Sequence, residues 1–319
     1  MEGISIVRYT NGHFDEWNDF VDSSRNATFL LNRNYLDYHK DRFCDASVMI
    51  YADGKLLALA PANFDKESAT IWSHQGLTYG GIITHNDMTG AKMLDIFKAL
   101  CPYFKEQYNA VAWIYKPYPH IYASYPSEED LYALFKVGAQ LVSRQISCTI
   151  SQDNKLPFRT LRKRGMKKAM LSNYEVKDDD LEGLKDYWTV LDDVLTNCHG
   201  THPVHSYEEL SLLSSRFRRN IILHTVANPE GKICAGVLVF LSKMVAHAQY
   251  IAANDEAKHN GALDLLFYHL INEVYPDVPY FDFGISTEQG GKVLNEGLLF
   301  QKEGFGGRAV CYDMYKINL

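Results

Sequence analysis

Apolar and polar positions change period along this chain often enough to divide it into short elements. Alternation over Ile4–Tyr9 predicts a strand, and helices are expected over about Phe14–Asp22 and Asn34–Asp41. Ser47–Tyr51 and Leu56–Pro61 flank Asp53-Gly54, a pair suited to a tight two-residue turn, so they read as a hairpin. Thr70–Ser73 reads as another strand. Met93, Ile96, Phe97, Leu100 and Phe104 recur at helical spacing and predict a helix over about Thr89–Gln107. Val111–Tyr115 predicts a strand, Ser127–Val137 a helix and Leu141–Ile150 a strand.

The second half runs in a similar order. A basic helix is expected over Phe158–Leu171, a strand around Tyr174–Lys177, and helices over Leu181–Leu195 and Tyr207–Ser215. Ile221–Val226 and Ile233–Leu241 flank Asn228-Pro-Glu-Gly231 and form a second hairpin. The strand Val245–Ala253 leads through Lys258-His-Asn-Gly261 into an amphipathic helix to Val274. A buried strand, Tyr280–Phe283, and a final strand, Ala309–Ile317, follow. Strand, helix and strand around Gly261 make a βαβ unit, whose strands should be parallel and joined by a right-handed crossover. The shared order predicts two copies of one α/β module, over residues 1–151 and 152–319.

Composition narrows the class. The 319 residues suit two cores, and 46% are apolar, enough for each half to bury one. No apolar run approaches the roughly 18 residues of a membrane helix, and the first residues lack a signal-peptide pattern, so a cytoplasmic protein without a membrane span is expected. The six cysteines are scattered without a Cys-x-x-Cys and read as reduced thiols. A net charge of −7 argues against a general nucleic-acid surface. The local exception is Arg159, Arg162, Lys163, Arg164, Lys167 and Lys168, either a solvated helix face or a site for an anionic ligand. Asp178, Asp179 and Asp180 are expected to neutralise part of it.

The chemistry concentrates near the second βαβ unit. A helix start presents unpaired N–H groups and attracts anions, here the pyrophosphate of an acyl-CoA. Gly261 would let the backbone approach it, Lys258 would add charge, Asn260 would cap the helix, and Ala262 completes the stretch. Strict alternation puts His247, Gln249 and Ile251 on one face of their strand. His247 is a candidate general base against the alternative of a hydrogen-bonded core histidine, and Gln249 could orient an acceptor. Asp282, between two phenylalanines, is costly to bury unpaired. It either handles an acceptor amine or pairs with Lys302 or Arg308. Lys302, in a glycine-rich segment, is read as neutralising a phosphate or an oxyanion, or as a solvated turn lysine. In the first half, Ser73, His74, Gln75, Thr78 and Tyr79 lie beside glycines in Trp72–Gly81, a loop suited to contacting an acceptor or simply a connection. His199, His202 and His205 lack familiar metal-ligand spacing, so no metal is expected.

Three stretches resemble the tandem GNAT-like acyltransferases of the FemAB/FemX type. The basic helix from Phe158 to Ala169 resembles the opening of their second module. Lys258-His-Asn-Gly-Ala-Leu-Asp-Leu-Leu266 is similar to the GNAT acyl-donor motif, with Leu263 where that motif prefers a smaller residue. Leu298-Leu-Phe-Gln-Lys-Glu-Gly-Phe305 is similar to the Phe-Lys-x-x-Phe segment of FemX-like proteins, with Gln301 inserted before the lysine. The resemblance implies an α/β chain of two GNAT-like modules, each a mixed, mostly antiparallel sheet flanked by helices. It implies acyl transfer to an amine or hydroxyl of a small-molecule or peptidoglycan-precursor acceptor, from acyl-CoA as in most GNAT enzymes or from aminoacyl-tRNA as in FemX-like proteins, and the helix start at Gly261 selects acyl-CoA as the expected co-substrate. Its other branches are an aminoacyl-tRNA-dependent transferase acting on a cell-wall precursor and a non-catalytic binding protein of the same fold.

Overall fold

The computed structural model describes residues 3–199 and 203–319. Two compact units result, one from Met1–Ile146, Thr287–Val293 and Cys311–Leu319, the other from Ser147–Ser286 and Leu294–Val310. The halves read from the sequence are contiguous, whereas the units are not, because two C-terminal segments return to the first.

In the first unit, β1 (Ile4–Arg8), α1 (Phe14–Ser23), β2 (Val48–Ala52) and β3 (Lys55–Ala60) come first in chain order. β4 (Asn63–Asp65), β5 (Thr70–Trp72), β6 (Ile83–Thr84), α2 (Gly90–Tyr108) and β7 (Ala112–Tyr115) follow. Then come α3 (Glu129–Lys136) and β8 (Gln140–Ser151), whose last residues belong to the second unit. The β2–β3 turn has Asp53 at φ 50° and Gly54 at φ 75°, the geometry that Asp-Gly favours. The order β1-β2-β3-β6 is antiparallel throughout. β5 instead pairs in parallel with β7 over Thr70–Trp72 and Ala112–Ile114, with α2 as the crossover. Met93, Ile96, Phe97, Leu100 and Phe104 form the buried face of α2, packed on Trp113 and Tyr115.

The second unit holds α4 (Thr160–Leu171), β9 (Glu175–Lys177), α5 (Leu184–His199), α6 (Tyr207–Arg216), β10 (Ile221–Ala227) and β11 (Ile233–Leu241). β12 (Val245–Ala253), α7 (Asp255–Asn260), α8 (Ala262–His269), β13 (Tyr280–Ile285) and α9 (Glu296–Glu303) follow. β9 to β12 are antiparallel neighbours, β12 and β13 are parallel, and β13 pairs antiparallel with the end of β8. Both units are therefore mixed, mostly antiparallel sheets flanked by helices. Phe267, Phe281, Phe283 and Phe305 form the aromatic centre of the second core, with Phe267 and Phe283 centroids 4.9 Å apart.

Two expectations change here. The helix after β12 is not continuous to Val274. Gly261, at φ 79°, separates α7 from α8, and residues Leu270–Val274 form a π-helical turn. The cap of α7 is Asn254, whose side chain accepts from the Ala257 N–H, and the Asn260 amide donates instead to the Tyr174 hydroxyl. Strict alternation along β12 also fails. The register with β11 slips between Ala248 and Tyr250, leaving Gln249 as a bulge. Ala246 and Ala248 face the α8 core before the bulge, and Ile251 and Ala253 face it afterwards. Ile251 is thus on the face opposite His247.

Candidate functional site

The register of β12 on β13 places His247 directly beside Asp282. On β13, Phe281 and Phe283 enter the aromatic core, so alternation turns Asp282 to the other face. There its carboxylate is fully buried and accepts hydrogen bonds from Ser147 and Thr149, each 2.6 Å from one oxygen. The other oxygen lies 2.7 Å from His247 Nδ1. Burial pushes the Asp282 carboxyl up, but the bond and charge of His247, with the two hydroxyls, outweigh it and hold the group below the usual carboxylate range. An ionised Asp282 only accepts, so Nδ1 carries a proton, and in the uncharged form of the ring the lone pair is on Nε2. Gly284, at φ 75°, adjoins that ring, since a Cβ there would lie in ordinary contact, 3.4 Å from Cε1 and 4.0 Å from Nε2.

Lys302 reaches the end of β13 from the last turn of α9, a helix capped by the Asn295 side chain on the Leu298 N–H. Its ammonium donates to the carbonyls of Gly284 (2.8 Å) and Ile285 (2.7 Å). Burial pushes it down to about 8 although the Asp282 charge pulls the other way. Asp282 therefore pairs with His247 rather than with Lys302 or Arg308 as an ion-pair partner. Arg308 donates to the Gly307 carbonyl. Ser147 and Thr149 went unrecognised in the sequence, because nothing local marks a strand hydroxyl as the partner of an acid more than 130 residues away.

β12 pairs with β13 only over Val245–His247 and then continues alone on that side to Ala253. The two strands diverge immediately past the His247–Asp282 pair. Gln249 sits half-buried in the bulge at this opening.

The stretch expected to meet a diphosphate is placed differently from the simple reading. A Cβ on Gly261 would stand 2.3 Å from the Gly165 carbonyl oxygen, so close helix contact between α4 and the α7–α8 junction explains the glycine. Ala262 is fully buried. Lys258 is the exposed member, in a loose pair with Asp255. On α4, Arg162 binds Asp264 at 2.7 Å, Lys168 donates to the His259 carbonyl, and Arg159 lies over the Phe300 ring. Lys163, Arg164 and Lys167 stay exposed. The three aspartates do not neutralise them: Asp179 pairs with Arg218, Asp180 with Lys177, and Asp178 bridges His224 and His269.

In the first unit, Ser73 and His74 are buried just past β5, with His74 in the left-handed region at φ 55°. Gln75 exchanges hydrogen bonds with Asn63, and the Tyr79 hydroxyl lies 3.1 Å from that of Thr28. His205 Nδ1 lies 2.7 Å from the Tyr250 hydroxyl, while His202 and the side chain of His199 fall outside the described residues. Among the described residues no group of three His, Cys, Asp or Glu side chains could hold a metal, and no helix is long and apolar enough to cross a membrane.

Residues 159–289 match the acetyltransferase (GNAT) domain family. No curated protein matches the chain. Among solved structures it is similar to FemX, with a TM-score of 0.70 at 13% identity over 99% of this chain and 97% of that one. It is similar to L-PGS from Bacillus licheniformis, with a TM-score of 0.59 at 12% identity over 96% and 91% of the two chains. A tandem GNAT protein of the clavulanic acid pathway gives a TM-score of 0.53 at 10% identity over 99% and 98%. The chain thus has a tandem GNAT-like fold similar to that of FemX, with the GNAT family match lying over residues 159–289.

Proposed function

We propose that the protein is an acyltransferase moving an acyl group from acyl-CoA to an amine or hydroxyl acceptor, with the chemistry in the second unit. The observation that carries this reading is the His247–Asp282 hydrogen bond at the mouth of two diverging parallel strands. An unpaired edge of extended backbone can accept an amide-bearing chain as an added strand, and the acyl-pantetheine arm of CoA is such a chain. Lys258 and the exposed bases of α4 are proposed to meet the polyphosphate end, beside Asn260, Gly261 and Ala262, which shape that junction.

The acceptor nitrogen or oxygen attacks the thioester carbonyl as His247 Nε2 removes its proton, and Asp282 stabilises the imidazolium. The tetrahedral oxyanion is compensated by the Lys302 ammonium, and collapse expels the thiolate. Gln249 is proposed to orient the acceptor, a small molecule or peptidoglycan precursor, and within the first unit Ser73, His74, Gln75 and Tyr79 are proposed as acceptor-binding residues. A soluble chain acting in the cytoplasm fits this donor. The exposed bases of α4 would also suit aminoacyl-tRNA as the ester. Thiol release from acyl-CoA with an amine tests the donor: turnover that requires charged tRNA and ignores acyl-CoA would replace CoA in this scheme. Lys258→Glu should raise the KM for acyl-CoA severalfold with little change in kcat.

A further inference from the structure

The two units share a detail beyond their general architecture. In each, two parallel strands joined by a helical crossover pair over three residues and then part: Thr70–Trp72 on Ala112–Ile114, and Val245–His247 on Tyr280–Asp282. In that register Lys116 corresponds to Gly284. A lysine ammonium stands at each opening, and each donates to two backbone carbonyls. In the second unit it is Lys302 on Gly284 and Ile285. In the first it is Lys116 on His74 (3.1 Å) and Leu77 (2.7 Å).

The difference is the counter-charge. Lys302 has Asp282 nearby. Lys116 is 7% exposed, and among the described residues no carboxylate pairs with it. Burial alone pushes it down to about 8. Trp72 offers its ring, 5.9 Å away, which is a weak substitute for an anion. An unpaired buried charge is unfavourable in any fold and is retained where a ligand completes it.

The cover over this lysine includes one residue in an uncommon backbone conformation and several unpartnered polar atoms. His74 holds a left-handed backbone at φ 55°, where a non-glycine residue is strained. Ser73 Oγ, Trp72 Nε1 and Tyr118 Oη are buried without a hydrogen-bond partner. A Cβ on Gly80 would meet the Ser73 carbonyl oxygen at 2.4 Å, so the segment lies tightly on itself. The loop carbonyls occupy the positions that a ligand's oxygens would take on the ammonium. Strain, orphaned donors and an uncompensated cation all favour exchanging that cover for a ligand.

We infer that the first unit holds a site for an oxyanion, a carboxylate or phosphate group carried by the acceptor, centred on Lys116 and capped by the carbonyls of its own His74–Gly81 loop. This deepens the reading of that loop as the acceptor side and rests on that reading for its part in turnover. Binding itself is independent of acyl transfer. When the loop lifts, the anion takes the ammonium, and Ser73 and Trp72 donate to it.

Calorimetric titration of the full chain with inorganic phosphate, and separately with acetate, tests this. Saturable binding of either probe is expected, and the stronger arm identifies the group. Lys116→Met should weaken that binding at least tenfold and leave the ligand-free melting temperature equal or higher, because an unpaired buried charge has gone. Lys116→Arg should bind within a few-fold of the wild type, and Ser73→Ala should fold normally and bind severalfold more weakly. No binding of either probe to the wild type, equal binding by Lys116→Met, or a Lys116→Met chain that melts lower or fails to fold would overturn the site. Such a failure leaves the His247 chemistry standing, whereas loss of turnover in His247 variants with phosphate binding intact leaves this site standing.

Discussion

At the scale of single residues the proposal depends on which nitrogen of His247 holds the proton. Asp282→Asn is isosteric but presents an N–H₂ toward Nδ1 in place of an acceptor, because its oxygen is kept by Ser147 and Thr149. The imidazole must then protonate Nε2 and lose its base. Turnover should fall by roughly 10²–10⁴-fold in steady-state kinetics with the fold intact. Lys302 gives a pH signature. Its charged form is needed for the oxyanion and is lost through about pH 8, so kcat/KM should decline above that pH. Lys302→Arg should remove the decline, since a guanidinium stays charged. For stability the sign is opposite to that of a raised lysine. Lys116 at about 8 in the fold binds fewer protons than the unfolded chain up to the ordinary value of 10.5, so its contribution to stability rises with pH across that window. Lys116→Met should therefore be more stable than wild type at pH 7, and urea titrations should show the gap closing by about pH 10. His247, Asp282 and Lys302 could be singled out in the sequence because each is polar in an apolar or glycine-rich setting. Their true partnership could not, because it follows from a parallel register that joins residues 35 positions apart.

At the scale of elements, patterns confined to one segment could be read directly. β12 runs over Val245–Ala253 and β11 over Ile233–Leu241, as alternation and apolar runs indicate. The periodic apolar residues of α2 are all buried. What could not be read depended on a neighbour. The bulge at Gln249 reverses the faces of β12 and has no marker in Ala246-His-Ala-Gln-Tyr250. The glycine at 261 looked like a phosphate contact because its real cause, the Gly165 backbone of α4, is nearly a hundred residues earlier. Gly261→Ala should therefore act on stability. A left-handed φ of 79° and overlap with the Gly165 carbonyl together should cost at least about 2 kcal/mol in urea unfolding. An equally stable Gly261→Ala chain that fails only to bind acyl-CoA would return this glycine to a purely ligand-facing role.

At the scale of the whole molecule, the order of elements in each half was enough to anticipate two α/β modules, and the FemX-like fold agrees with that reading. The return of the C-terminal strand was not legible, since an amphipathic strand carries no address. Tyr315, Lys316, Ile317 and Asn318 pair with Tyr115, Ile114, Trp113 and Ala112 of β7, and Ile317 is buried in the first core. Truncation before Cys311 should consequently lower hydrogen-exchange protection in β7 and α2 of the first unit, although the cut lies at the far end of the chain. The central claim is that His247, held by Asp282, removes the acceptor's proton during acyl transfer. Its most direct measurement compares thiol release from acetyl-CoA with ethylamine and with hydroxylamine, which is mostly unprotonated at neutral pH and needs no base. His247→Ala and Asp282→Asn should lose roughly 10²–10⁴-fold with ethylamine and far less with hydroxylamine. Equal losses with both nucleophiles, or full activity of both variants with ethylamine, would contradict it.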